Sequence, residues 1–351
     1  MNKRIVFLDY MRVIACLMVI MVHSCEFFFI DGSGIGIRSI EDGWWVSVID
    51  SAFRCSVPLF VMISAYLLVP VSGSVEQFFK KRLVRVVIPF VVWSVLYATL
   101  PYLWGDMSGD EVLESVLHLT YNFNDSSGHM WFVYMLVGLY LFMPIISPWL
   151  EKTGRRGIWY FLMVWFLSTF FPYIRDFVGS VYGECYWNEY NMLWYFSGFL
   201  GYIILAYYIR NFIVWSNRRK LIVGFMFYLI GYSITAIIWY NRIVSAETLQ
   251  QLELSWRFCT PNVVLESLGA FFVIDGLFNQ SSPNRIISSI SNLSYGIYLM
   301  HIFILSVVYK ILENSLSTPC TIALVGIVTF VICYVATALL SILPKGKYLI
   351  G

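Results

Sequence analysis

The sequence predicts an all-α protein that crosses a membrane many times. Of its 351 residues, 59% are hydrophobic and only 13% are charged, whereas a soluble domain carries about 25% charged residues. Aromatic residues make up 19% of the chain, which suits a membrane protein because Trp and Tyr gather at the two membrane–water interfaces. The net charge of +2 gives no indication of nucleic-acid binding, and we expect no nucleic-acid partner.

Ten segments are apolar enough to cross the hydrocarbon layer, for which a helix needs about 20 residues. The second segment contains Arg54 and Pro58, so we expect it to be kinked or broken. The predicted spans are 7–29, 44–69, 84–104, 130–149, 158–174, 191–209, 221–240, 259–278, 288–310 and 321–343.

Lysine and arginine residues are distributed unevenly between the loops that these spans create. One set of alternate loops and ends carries 16 of them, and the other set carries five together with most of the acidic residues. Because loops rich in Lys and Arg stay in the cytoplasm, both termini are predicted to be cytoplasmic. The cytoplasmic set is Lys3, Arg4, Lys80, Lys81, Arg82, Arg85, Lys152, Arg155, Arg156, Arg210, Arg218, Arg219, Lys220, Arg285, Lys345 and Lys347.

The chain is predicted to form a single transmembrane domain, residues 1–351, without an appended soluble domain. Its first apolar run is predicted to be retained as a helix, because Asp9 and Arg12 interrupt the apolar region that a cleaved signal peptide requires. The seven cysteines contain no C-x-x-C pair and are interpreted as small buried hydrophobic residues. Cys185 is the exception, because it lies within a predicted outer loop.

The first span contains two ionisable residues, Arg12 and His23, which are costly in hydrocarbon and therefore indicate a function or a partner. They are 11 positions apart, so they share one helix face, with roughly 16 Å between them along the axis. Asp9 lies close enough to Arg12 to form a pair, and Glu26 lies three residues beyond His23. This polar line indicates either hydrogen bonds between helices or a catalytic or ligand-gating path into the membrane.

Two further acids lie within predicted spans. Glu266 in the eighth span is predicted to be a catalytic residue, which pairs with Arg12 or Arg54 or orients His23. Asp50 lies one turn before Arg54 in the second span, and these two residues are positioned to neutralise each other.

Five stretches of the chain resemble the membrane-bound acyltransferase-3 family. The first is DYMRVIACLMVIMVHS (9–24), in which an arginine and a histidine are separated by ten residues. The others, in the family's order, are VPLFVMISAYLL (57–68), FKKRLVRVVIPF (79–90), GHMWFVYMLVGLYLFMPII (128–146) and SNLSYGIYLMHI (291–302).

The resemblance implies transfer of an acyl group, usually acetyl from cytoplasmic acetyl-CoA, to a carbohydrate or lipid-linked glycan across a bacterial cell membrane. It also implies that His23 is catalytic and that Arg12 supports it. We expect no metal cofactor. Imidazole is suited to this chemistry near neutral pH, either as a base or by being acylated itself, and the sequence leaves both open. Arg12 is suited to binding a carbonyl, thioester or phosphate oxygen.

On the cytoplasmic side, Lys81, Arg82 and Arg85 are predicted to bind the phosphate groups of the acyl-CoA. Anionic membrane lipid would suit this basic stretch equally well.

On the outer side, His129, Trp131 and Glu26 are predicted to bind the acceptor, although a histidine and a tryptophan at that depth also suit an interfacial aromatic belt. His301 in the ninth span has two interpretations, a hydrogen bond to a neighbouring helix or a role in the site.

Two other functions compete with acyl transfer. One is a small-solute transporter, against which the chain shows no internal repeat. The other is a ligand-sensing relative without turnover, against which Arg12 and His23 are both present. Some family members carry an esterase-like domain, and its expected absence predicts a membrane-proximal or lipid-linked acceptor, or a separate extracytoplasmic protein that takes up the acyl group.

Overall fold

The computed structural model describes residues 4–32, 34–103, 105, 107–178, 190–313 and 315–351, and Cys185 lies outside these residues. Helices dominate them, with one short hairpin of two-residue strands, β1 (Ile30–Asp31) and β2 (Gly34–Ile35). The helices are α1 (Val6–Glu26), α2 (Ile40–Ser51), α3 (Ser56–Leu68), α4 (Val75–Leu103), α5 (Gly109–His118), α6 (Trp131–Lys152), α7 (Arg155–Ser168), α8 (Phe171–Val178), α9 (Leu200–Phe212), α10 (Asn217–Arg242), α11 (Leu249–Leu252), α12 (Pro261–Phe278), α13 (Arg285–Leu312), α14 (Thr318–Ile342) and α15 (Lys347–Ile350). Three short 3₁₀ helices cover Asp125–Met130, Asn191–Phe196 and Leu254–Trp256.

The described residues contain nine helical segments that are long and apolar enough to cross a membrane. They correspond to nine of the ten predicted spans and confirm an all-α, multi-pass membrane protein. The apolar side chains that α10 and α14 expose, such as Phe225 and Val331, provide the lipid-facing surface. The cytoplasmic location of both termini stays a prediction of the charge pattern, and the two sides of the membrane are named accordingly below.

The remaining predicted span, 191–209, is not one continuous helix. It consists of the 3₁₀ helix Asn191–Phe196 followed by the 13-residue α9. Gly198 separates the two with a φ of +80°, a conformation that favours glycine. The Trp165 indole of α7 donates a hydrogen bond to the Gly198 carbonyl at 2.9 Å and packs directly against Gly201. The 3₁₀ helix adds about 2.0 Å per residue and the α-helix about 1.5 Å, so together they are long enough to span the hydrocarbon layer.

The second predicted span is broken, as expected, between α2 and α3. Arg54 lies in the break and forms an ion pair with Asp50, the side chain of which is fully buried. The Arg54 guanidinium also stacks 3.9 Å from the centre of the Trp256 ring. Pro58 falls in the first turn of α3, where its missing N–H leaves no intrahelical hydrogen bond unmade.

Helix α1 occupies the centre of the bundle, in contact with α3, α12, α13 and α14. Among its neighbours, α12 packs closely on α10 through glycines. A Cβ atom on Gly269 would lie 2.3 Å from the Tyr228 backbone nitrogen, and one on Gly231 would lie 2.6 Å from that of Glu266. Small residues allow such backbone approach in membranes, where packing rather than hydrophobic burial holds helices together.

Candidate active site

A cavity of about 340 Å³ opens between α1, α3, α4, α6 and α13. Its cytoplasmic end holds Arg12, Arg82 and Arg85, which lie close enough to Tyr140 to act on it electrostatically. Its deeper end is apolar and is lined by Val19, Val57, Phe60, Phe132 and Tyr298. We call this space the inner cavity. Helix α1 therefore lines a cavity that runs from Arg12 towards the depth of His23.

Few hydrogen-bond acceptors among the described residues bind the Arg12 guanidinium. Its only hydrogen bond to a described residue is to the Ser291 hydroxyl, at 3.2 Å. That hydroxyl in turn donates to Asp9 at 2.8 Å, and Asp9 pairs with Arg4, at 2.5 Å to Nε and 3.1 Å to Nη2. The predicted Asp9–Arg12 pair is therefore replaced by a link through Ser291, and Arg12 itself lines the cavity.

The basic residues predicted to bind a cofactor separate into two groups. Arg82 and Arg85 line the inner cavity and form no ion pair with any described residue. Lys81 is exposed and does not line the cavity. A second cavity of about 660 Å³ shares Arg12 with the first and adds Arg4 and Arg210, which widens the basic entrance on the cytoplasmic side.

His23 forms a hydrogen-bonded pair with Glu26 in the last turn of α1. The Nδ1 atom of His23 lies 2.9 Å from Oε1 of Glu26, and the His23 side chain is 18% exposed. Because a carboxylate only accepts hydrogen bonds, Nδ1 carries the hydrogen and Nε2 of the neutral ring keeps its lone pair. The arrangement matches the base and orienting carboxylate of a catalytic triad.

Two further histidines surround His23. The ring centre of His301 lies 5.1 Å from that of His23, and that of His129 lies 6.4 Å from it. The His129 and His301 rings are 5.1 Å apart, and both side chains are buried. We call these three residues the histidine cluster. Among the described residues, no group of three His, Cys, Asp or Glu side chains is placed to hold a metal ion.

Tyr298 lies between the inner cavity and the histidine cluster. Its ring lines the cavity and lies 5.6 Å from the His301 ring and 5.8 Å from the His129 ring. Its hydroxyl donates to the His129 backbone carbonyl, and its own carbonyl lies 2.5 Å from Nδ1 of His301. Tyr298 therefore forms the end of the inner cavity and positions both histidines.

On the outer side, a cavity of about 360 Å³ combines aromatic and charged residues. Trp131 stacks on Phe258 with ring centres 5.5 Å apart, and Arg54 and Glu253 contribute charges. Burial raises the pKa of the Glu253 carboxyl above its usual value, and the nearby Arg54 opposes this shift. We call this space the outer cavity. Arg54 connects it electrostatically with His23.

Glu266 lies apart from the histidine cluster. It is fully buried in α12, and its Oε1 accepts a hydrogen bond from the Cys55 backbone N–H at 3.3 Å. It forms no ion pair with Arg12 or Arg54 and no hydrogen bond to His23 within the described part of the chain. This hydrogen bond satisfies the backbone N–H of Cys55, the N-cap residue of α3, while Oε2 of Glu266 has no hydrogen-bond partner among the described residues.

Comparison with known proteins identifies the family of the chain. A family model described as an acyltransferase domain matches residues 5–338, nearly the whole chain. The chain belongs to the acyltransferase-3 family. It is also similar to a Bacillus subtilis (strain 168) protein named "Putative membrane-bound acyltransferase YfiQ", with 24% identity over 358 residues, 96% of this chain and 91% of the relative. No solved structure matches the chain significantly.

The candidate site thus brings together residues that the sequence scatters over almost 290 positions. His23, Glu26 and His129 lie in or beside the histidine cluster, Arg12, Arg82 and Arg85 in the inner cavity, and Trp131 in the outer cavity. His301 was left without a definite role by sequence reasoning, because a lone histidine in an apolar span is equally suited to a helix–helix hydrogen bond. Its place in the stretch SNLSYGIYLMHI was the one available signal.

Proposed function

We propose that this membrane acyltransferase transfers an acyl group, acetyl in the first instance, from cytoplasmic acyl-CoA to a hydroxyl of an envelope carbohydrate or glycolipid. The observation that supports the proposal is the order of the inner cavity, the histidine cluster and the outer cavity. A cavity with three arginines at its cytoplasmic end reaches Tyr298, which packs against the histidine cluster, and an aromatic cavity lies on the outer side. We assign the protein to the cytoplasmic membrane of a bacterium, with both termini inside.

The donor is bound by its charged end at the cytoplasmic mouth. Coenzyme A carries a 3′-phosphate and a diphosphate, and guanidinium groups bind such oxygens bidentately. Arg82 and Arg85 supply these groups, and Arg12 lies further in, where it is suited to binding the thioester carbonyl oxygen. The apolar part beyond Arg12 is suited to the uncharged pantetheine arm. Anionic lipid competes for the same arginines at the membrane surface.

The chemistry takes place at Nε2 of His23. Glu26 fixes the tautomer through Nδ1 and stabilises positive charge on the ring, as the carboxylate of a triad does. Glu26 is therefore a positioning residue rather than an acceptor-binding one. The lone pair of Nε2 is free either to take the proton of the attacking hydroxyl or to attack the thioester.

The acceptor occupies the outer cavity. Trp131 and Phe258 offer apolar ring faces, while Arg54, Glu253 and Arg257 offer hydrogen bonds, which is the combination typical of small-molecule sites. Such a cavity fits a sugar of a lipid-linked or membrane-proximal glycan. A separate extracytoplasmic protein that carries the acyl group onward would dock at the same opening.

The test uses isotope-labelled acetyl-CoA and membranes that contain the protein. We expect label to appear in envelope glycan or glycolipid, and to disappear with His23→Ala. His118→Ala is the matched control, because His118 lies in α5, away from both cavities, and it should transfer label at the wild-type rate. Transfer at the wild-type rate by His23→Ala would contradict the assignment of the reaction centre. Absence of labelled glycan with the wild type would contradict the proposed donor and acceptor.

A further inference from the structure

The histidine cluster contains three imidazole rings, whereas a reaction with a single base requires only one. Nδ1 of His301 lies 2.5 Å from the Tyr298 carbonyl oxygen. A carbonyl only accepts hydrogen bonds, so Nδ1 carries the hydrogen and Nε2 of the neutral ring keeps a lone pair. This Nε2 atom is buried and has no hydrogen-bond partner among the described residues. Buried polar atoms are normally paired, so an unpaired lone pair at this depth indicates a partner that comes and goes.

The two alternatives for His23, a base or an acylated nucleophile, differ in whether the reaction needs a second base. If His23 acts only as a base, one imidazole suffices for the reaction. If its Nε2 is acylated, that nitrogen no longer accepts a proton, and Nδ1 is already protonated and bound to Glu26. A hydroxyl that attacks the acyl group then needs another base nearby.

We infer that His301 is a second catalytic base, which takes the proton of the acceptor hydroxyl after His23 has been acylated. The inference rests on the proposed acyl transfer. His301 is the imidazole nearest to His23, with ring centres 5.1 Å apart. His129 is farther, at 6.4 Å, although its Nε2 is also buried and without a partner among the described residues. His301 is therefore the nearer of the two imidazoles to an acyl group on His23.

The first half of the reaction takes place on the donor side. Nε2 of His23 attacks the thioester carbonyl carbon, an N–C bond forms, and the C–S bond breaks with its electron pair leaving on the CoA thiolate. The product is an acyl-imidazolium, the positive charge of which is balanced by the Glu26 carboxylate. No proton is transferred in this half.

The second half takes place on the acceptor side. The hydroxyl oxygen attacks the acyl carbon, a C–O ester bond forms, and the C–N bond breaks with its electron pair returning to Nε2 of His23. The hydroxyl proton passes to Nε2 of His301, which then loses it to water. The sum is one ester, one CoA thiolate and one released proton for each thioester and alcohol consumed.

The experiment separates the two halves with His301→Asn in the full-length protein, reconstituted in lipid nanodiscs. Asparagine keeps a donor near the position of Nδ1, and so the bond to the Tyr298 carbonyl, but it offers no base. With labelled acetyl-CoA alone, we expect the variant to acquire about one label per protein, like the wild type. With native membranes as the source of hydroxyl acceptor, we expect its transfer to fall by about 100-fold or more.

Hydroxylamine provides the second readout, because it attacks an acyl-imidazole without help from a base. We expect hydroxylamine-dependent release of CoA to be the same for His301→Asn and the wild type, after subtraction of the rate with His23→Ala. His301→Gln is a second variant with the same expectation, in case the asparagine protein does not fold, and gel filtration and thermal unfolding check folding in both.

Three outcomes overturn the inference. Hydroxyl transfer by His301→Asn at the wild-type rate would show that His301 is not needed as a base. Loss of label on the folded variant would place His301 in the donor half. Absence of label on a wild type that still transfers acetyl to glycan would show direct transfer with His23 as the base, which leaves the proposed function intact. If the wild type released no CoA with either acceptor, the proposed function itself would fail.

Discussion

The Nδ1 atom of His23 lies 2.9 Å from Oε1 of Glu26, three residues later on the same helix. The pair lies at the outer end of α1, where the Glu26 side chain is 38% exposed and that of His23 is more enclosed. A carboxylate in this position fixes which ring nitrogen carries the hydrogen. The last turn of one helix therefore supplies both a base and the group that orients it.

The first prediction concerns this pair. Glu26→Gln keeps the size of the side chain but removes its charge and permits the wrong tautomer of His23. We expect kcat to fall about 100-fold, less than for a fully buried triad carboxylate, with little change in KM for acyl-CoA. Steady-state release of CoA measures both constants. Glu114→Gln on the exposed face of α5 is the control, and equal activity of the two variants would refute the orienting role.

The second prediction concerns the mouth of the inner cavity. Arg82→Gln and Arg85→Gln each remove a charged donor to phosphate, worth about 1.5–3 kcal/mol, so KM for acyl-CoA should rise about 10- to 100-fold. The difference in KM between the variants and the wild type should shrink at high salt, because screening weakens the attraction between these arginines and phosphate in the wild type. Arg218→Gln, an exposed cytoplasmic residue outside the cavities, is the control. If all three variants had the same KM, the phosphate contacts would be misassigned.

The third prediction concerns the contact between α10 and α12. A methyl group at Gly269 would meet the Tyr228 backbone nitrogen at 2.3 Å and the Gly224 carbonyl oxygen at 2.6 Å. Because backbone atoms cannot move aside, Gly269→Ala should destabilise the protein by about 1–3 kcal/mol or more. Gly138→Ala is the matched control, since nothing lies within 4 Å of a Cβ there. Thermal unfolding in detergent compares the two, and a melting temperature unchanged by Gly269→Ala would argue against the close packing.

The fourth prediction concerns the buried ion pair of Asp50 and Arg54. Asp50→Asn leaves the Arg54 charge without its partner, in a site where the arginine side chain is only 9% exposed, and should cost about 3–5 kcal/mol. The double variant with Arg54→Gln should cost less than the sum of the two single changes.

The same set of single and double variants at the more exposed pair of Arg242 and Asp176 is the comparison for this double-mutant cycle. Its coupling should be at most about 1 kcal/mol. Equal coupling energies in the two cycles, measured by denaturant unfolding, would mean that burial does not strengthen the Asp50–Arg54 interaction.

Several features of the structure followed from local sequence patterns alone. Arg12 and His23 lie on one helix because the run between them is continuously apolar, and the break near Arg54 follows from a charge inside an apolar span. The prediction that the sixth span is one continuous helix was wrong. The length of an apolar segment does not reveal that Trp165 of a neighbouring helix fills the space beside Gly201.

The histidine cluster lay beyond sequence reasoning for a related reason. His23, His129 and His301 belong to α1, to the turn before α6 and to α13, and no periodicity within one segment reports which helices become neighbours. Glu266 illustrates the same limit. Its burial was foreseen, but its partner is the backbone of Cys55, and a backbone donor at a helix break leaves no mark in the sequence.

The position of Tyr298 has a consequence for the permeability of the membrane. The inner and outer cavities share no lining residue within the described parts of the chain, and Tyr298 lines the inner one between its apolar part and the histidine cluster. A continuous watery passage through the bundle would leak protons and dissipate the gradient across the membrane. If acyl transfer proceeds as proposed, only the acyl group has to pass Tyr298, and the coenzyme stays on the cytoplasmic side.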